Sequence, residues 1–198
     1  MKQWRQGLET RLRFKGTTMR IAILCIGTVD EDILTKIQSG LSEIYPETAC
    51  LVLDEIMPIP ADAYDKARQQ FHSTHILAKI NNYVKRTQAD PILGITEVDL
   101  YVPHLNFVFG EATCPGKTAI ISLFRLKPEF YEHPANLGLF INRCVKEAVH
   151  EIGHTLGLKH CKNPTCVMFF SNSILDTDRK KKTFCEKCHP KVVKLLGR

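Results

Sequence analysis

Eleven consecutive residues constrain this chain more than any other stretch: His150-Glu151-Ile152-Gly153-His154-Thr155-Leu156-Gly157-Leu158-Lys159-His160, reading H-E-x-x-H-x-x-G-x-x-H. Residues four apart on an α-helix lie one turn apart on one face, so the imidazoles of His150 and His154 can point at one metal ion. Glu151 projects about 100° around the axis from His150. Its carboxylate therefore sits beside the metal without ligating it, where it can deprotonate a bound water. A third ligand on the same face would clog the site. Gly157 readily takes φ > 0 and ends the helix in a sharp turn, after which the chain swings back and presents His160. Three neutral imidazoles plus one water make the open tetrahedral zinc site that catalysis needs. A chance match to the whole pattern in a chain of this size is on the order of one in a hundred thousand. That outweighs the plain alternative, an amphipathic helix with two exposed histidines.

A chain of 198 residues with 44% hydrophobic content can bury one substantial core with a small appendage. No run approaches the length of a membrane span, so no membrane partner is expected. Residues 1–19 carry five basic side chains but no apolar stretch of a signal peptide. With no periodic apolar face, this segment is expected to be disordered, and translation could start at Met1 or at Met19. The net charge of +6 comes partly from that segment and partly from Arg179-Lys180-Lys181-Lys182. Aromatic residues are not interleaved with this basic run, which argues against a nucleic-acid surface and for a solvated loop.

The apolar run Arg20–Ile26 reads as a strand buried on both faces. Thr28 to Glu31 has the spacing of a capping box, leading a helix that closes at Tyr45-Pro46. Ala49 to Ile56 reads as a second strand, parallel to the first. A second helix is expected over residues 62–86, a strand over Ile92–Val98 and a proline-broken loop over Asp99–Asn106. Phe107–Thr113 and Thr118–Leu123 read as a hairpin joined by Cys114-Pro115-Gly116-Lys117. An antiparallel edge strand there would be a rail on which a peptide adds itself, and Gly110 would permit close backbone approach or mark a bulge. The long helix carrying the motif begins after Pro134. Gly153 inside it costs about 1 kcal/mol relative to Ala, so a clearance reason is expected.

Four of the eight cysteines follow the motif. Cys161 and Cys166, then Cys185 and Cys188, have the paired spacing of a structural zinc held by four thiolates, a closed site that does no chemistry. A redox-active Cys185/Cys188 pair or plain buried thiols are the alternatives. Met168 lies between the pairs. H-E-x-x-H-x-x-G-x-x-H followed by Cys161, Cys166, Met168, Cys185 and Cys188 resembles the archaemetzincin family of metzincin-type zinc metallopeptidases.

The resemblance implies an α/β (α+β) fold. It would have a mixed twisted sheet of about five strands with an antiparallel edge strand, and a catalytic subdomain over residues 20–160. A small zinc-knuckle subdomain would follow over 161–198. It implies a catalytic zinc on His150, His154 and His160, Glu151 as general acid/base, and a Met-turn floor from Met168. Gly157 supports the turn, and a second, structural zinc sits on Cys161, Cys166, Cys185 and Cys188. Some wider metzincins place a Tyr two residues after the Met; here it is Phe170, so that hydroxyl is missing. The expected function is zinc-dependent peptide-bond hydrolysis in the cytoplasm by a monomer. It is an aminopeptidase if Glu111, on the rail Phe109-Gly110-Glu111, captures an α-amine. The alternative is a zinc-stabilised peptide- or nucleic-acid-binding protein with a latent or vestigial site.

Overall fold

Arg20–Ile26 forms β1, and its unbroken apolar run follows from having both faces covered. Ile21, Ile23 and Cys25 enter one core cluster, Ala22, Leu24 and Ile26 another. The computed structural model describes residues 19–84, 86–87 and 89–197; the expectation for residues 1–19 lies, apart from Met19, outside them. Helix α1 (Glu31–Ile44) follows β1, capped by Asp30, whose side chain accepts the N–H of Asp32, and not by Thr28 as the capping-box spacing predicts. Strand β2 (Ala49–Met57) then lies parallel to β1, with Arg20 opposite Ala49.

The helix expected over residues 62–86 is only half present. Ala61–Ala63 is a 3-10 turn, Tyr64–Asp65 is β3, Gln70–His72 is β4, and α2 covers Ser73–Val84. Local hydrogen bonding overrides the helical spacing of the apolar residues. Asp65 Oδ1 accepts the N–H groups of Ala67 and Arg68 at 2.9 and 3.2 Å, a turn that Asp favours. Gln69 sits at φ 55, and the N–H of Phe71 then donates to the Asp99 carbonyl at 2.8 Å. The chain that answers β4 comes from the expected loop, where Leu100–Tyr101 (β6) pairs with it in parallel. Before it, β5 spans Ile92–Thr96, two residues short of expectation.

Within the expected strand 107–113, only Gly110–Ala112 (β7) joins the sheet, antiparallel to β8 (Thr118–Ser122). The main sheet runs β2-β1-β5-β8-β7, five strands with an antiparallel edge. Helix α3 (Leu137–Thr155) packs with α1 on one face and α2 packs on the other. The C-terminal stretch adds two short helices not anticipated from the sequence, α4 (Ile174–Arg179) and α5 (His189–Leu195). Val167, Met168, Ile174 and Val192 join the same core cluster as α1 and α3. No helix among the described residues is long and apolar enough to cross a membrane.

Candidate metal centre

Helix α3 is capped by Asn136, whose side chain accepts the N–H of Leu139. It buries His150 and Glu151 in its last turns against β7 and β8. Its end has two hydrogen bonds that satisfy the last carbonyls: Gly157 N–H to His154 O at 2.8 Å and Leu158 N–H to Gly153 O at 3.1 Å. This pairing requires a left-handed residue, and Gly157 supplies it at φ 92. The turn points the Leu158 carbonyl back at the helix, where His154 Nδ1 meets it at 2.7 Å. His150 Nδ1 meets the Val167 carbonyl at the same distance. A carbonyl only accepts, so each Nδ1 carries the proton and each Nε2 keeps its lone pair free. The two Nε2 atoms lie 3.0 Å apart, close to the separation of about 3.3 Å expected of two nitrogens on one tetrahedral zinc. His160 completes the group, with donor atoms of the three residues within 4.8 Å of one another. The donor set fits zinc.

Glu151 is wedged against β7. A Cβ on Gly110 would fall 2.7 Å from Glu151 Cγ and 2.8 Å from its Oε1. The clearance at Gly110 is therefore filled by the glutamate and by the Ile120 carbonyl behind it. Burial raises the Glu151 carboxyl well above the usual carboxylate range; the neighbouring Glu147 and Glu111 add to this, and Lys180 opposes it. Beneath the helix, a Cβ on Gly153 would lie 2.5 Å from Met168 Sδ, which is the clearance expected for that glycine. Phe170 stands beside His160, ring centroids 5.0 Å apart. Phe109, Gly110 and Glu111 border the cleft in front of the histidines, which encloses about 740 Å³.

The four cysteines expected to act together do converge. Cys161, Cys166, Cys185 and Cys188 hold their sulfurs within 4.8 Å of one another. Cys161 and Cys185 Sγ are 3.8 Å apart, far from a disulfide bond of about 2.05 Å. It matches two sulfurs on a tetrahedral zinc at about 2.3 Å. The two groups interlock through the backbone: Cys161 N–H donates to Met168 O at 2.8 Å, and Cys166 adjoins the Val167 carbonyl that orients His150.

Residues 20–194 match the sequence model of peptidase family M54. The chain belongs to that family. It is 48% identical to archaemetzincin of Methanocaldococcus jannaschii over 174 residues, 88% of this chain and 93% of that one. Against archaemetzincin of Pyrococcus furiosus the identity is 42% over 181 residues, 90% and 94% of the two chains. The crystal structure of archaemetzincin from Methanopyrus kandleri superposes with a TM-score of 0.80 at 34% identity, covering 94% of this chain and all of that one. That from Archaeoglobus fulgidus, complexed with malonate, gives 0.75 at 39% identity over 87% and 99%. This M54 chain is accordingly a zinc metallopeptidase, with peptides or proteins as its substrate class.

Four side chains around the M54 centre escaped sequence reasoning. Lys180, expected in a solvated loop, is 1% exposed, and its ammonium lies 3.0 Å from Glu147 Oε1. Glu147 is buried too, also accepts from Thr177 Oγ1 at 2.9 Å, and borders the cleft in front of the histidines. Its position one turn before Glu151 on the buried face was the available signal; nothing in the run Arg179–Lys182 distinguishes its second member. Ser73 and Thr74 escaped too: their hydroxyls donate to the Glu111 carboxylate, Thr74 at 2.8 Å. Glu111 is thereby tied to the start of α2.

Proposed function

We propose that this M54 peptidase hydrolyses peptide bonds at the three-histidine centre, with Glu151 as general acid/base. One catalytic zinc sits on His150, His154 and His160, and one structural zinc on Cys161, Cys166, Cys185 and Cys188. The observation that carries the reading is the pair of carbonyl anchors on His150 and His154 Nδ1, which leave both Nε2 lone pairs free and 3.0 Å apart. When bound, zinc supplies a Lewis acid that lowers the pKa of water toward about 7 and polarises a carbonyl.

Glu151, held against Gly110, takes the proton of the attacking water and returns it to the leaving amine. The substrate strand lies antiparallel along the unpaired outer side of β7, with Phe109, Gly110 and Glu111 as the rail. Met168 is the apolar floor. Every group named comes from one chain, which is what a monomeric enzyme needs, and a reducing cytoplasm suits thiols that serve as ligands.

Aminopeptidase action is the second reading, and Glu111 favours it. Two hydroxyls hold its carboxylate in place, and a fixed carboxylate at the cleft wall can accept an α-ammonium. Digestion of a peptide library, read by mass spectrometry with and without chelator, separates the two modes: products shortened by one N-terminal residue mean amine capture. Glu151→Gln should keep its metal content while turnover falls by about 10²- to 10⁴-fold. Wild-type rates in that variant would refute the mechanism. A metal-loaded wild type that cleaves nothing in the library would favour a binding protein with a latent site.

A further inference from the structure

Lys159, Lys162, Lys181, Lys187 and Lys191 line one open cleft of about 1200 Å³ beside the four-thiol group. All five are exposed. Lys79, Lys117, Lys127, Lys180 and Lys182 each lie within 3.0 Å of a carboxylate oxygen. The five in the cleft form no such pair among the described residues, and Glu186 is the one carboxylate bordering it. Part of this charge answers the cysteines, since four thiolates around one divalent ion carry two net negative charges. With Glu186 counted as well, two of the five positive charges remain unanswered, and a concave wall concentrates their potential.

This cleft adjoins the one in front of the histidines, for Lys159 and His160 border both. Their relative direction follows from β7. Cys114, just past the end of that strand, reaches the Leu158 carbonyl with its thiol at 3.6 Å, so the C-terminal end of β7 abuts Lys159. A strand antiparallel to β7 therefore has its own N-terminal part heading toward the lysines. We propose that the lysine-lined cleft binds acidic side chains of a peptide substrate, placed N-terminal to the scissile bond. This rests on the peptidase reading and on docking along β7. A single-stranded nucleic acid is the lesser fit: the aromatic ring in the cleft, Phe184, is packed edge-on against Tyr45 at 5.8 Å and offers no stacking platform.

Three peptides of one scissile sequence test it: four Glu upstream of the bond, four Gln upstream, and four Glu downstream. Zinc-loaded wild type should favour the upstream-Glu peptide roughly tenfold in kcat/KM, mainly through KM, as two or more exposed charge pairs together provide. The preference should fade in high salt and vanish in Lys181→Glu/Lys191→Glu, with the Gln peptide unaffected. Fluorescence anisotropy with the Glu151→Gln variant reads the same order as binding alone. Equal use of the three peptides, or preference for downstream Glu, overturns the proposal. So does a double variant that sheds its metal and loses all three peptides alike, since the lysines would then serve the thiolates. Equal displacement by a single-stranded oligonucleotide of the same charge overturns it as well. If no peptide is cleaved, the peptidase reading fails, and the anisotropy order still decides the cleft.

Discussion

Burial pulls the imidazole of His150 well below its ordinary range, Lys180 and His154 adding to the effect; burial likewise lowers His154 and His160. A lowered pKa keeps an imidazole neutral, and so ready to ligate, to lower pH. Zinc uptake at neutral pH should then displace no proton from these rings, and affinity should fall only below the ordinary imidazole value of about 6.5. Chelator competition from pH 8 to pH 5 measures this; a decline that starts above pH 7 contradicts it. At Gly153 the constraint is steric. The added methyl of Gly153→Ala would lie 2.5 Å from Met168 Sδ and 3.1 Å from its Cε, under a side chain with no exposure. Overpacking of this kind costs about 1–3 kcal/mol, more than the roughly 1 kcal/mol of helix propensity gained. Thermal unfolding should show a lowered Tm, and a raised one would mean that Met168 yields freely.

Helix α3 is held to α4 and the residue after it by charge as well as by packing. Arg143 grips Asp178 through two nitrogens at 2.7 Å each, Lys146 donates to the carbonyls of Thr177 and Asp178, and Lys180 meets Glu147. Truncating one partner of such a buried pair strands the other charge, at about 3–5 kcal/mol. Lys180→Met should therefore lower denaturant stability by that order, and adding Glu147→Leu should restore most of it. A double variant as unstable as the single one would show that packing dominates. These contacts also mark where the sequence stops being legible. Strand β1, helix α1 and the motif helix were readable because their apolar spacing repeats over many residues. Residues 62–72 were not, since a single Asp65 side chain and a partner strand brought by tertiary structure overrode a helical spacing. The three-histidine and four-cysteine groups were readable because their intervals are those that let side chains converge on one point. Lys180 was not, because its burial depends on an acid that only the folded chain brings to it.

For the molecule as a whole, the four-thiol group closes a loop running from Cys161 to Cys188 and fastens it to the first helix. Lys182 reaches Glu43 at 2.6 Å, and Phe184 packs on Tyr45, whose hydroxyl donates to the Val149 carbonyl at 3.0 Å. Losing a thiolate should thus be felt at the histidines. Cys185→Ser is expected to lower zinc content from two to one per chain and to weaken the remaining ion about tenfold or more, the size of effect seen when groups supporting metal ligands are lost. Metal analysis and chelator titration check this; unchanged affinity would leave the two centres merely adjacent. The Val167 carbonyl that steadies His150 has a consequence for biosynthesis. A ribosome delivers His150, Glu151 and His154 before Val167, Lys180 and Cys185. The half-made chain thus holds the histidines and Glu151 before the groups that support them exist, and the set is complete only once Cys185 has been translated.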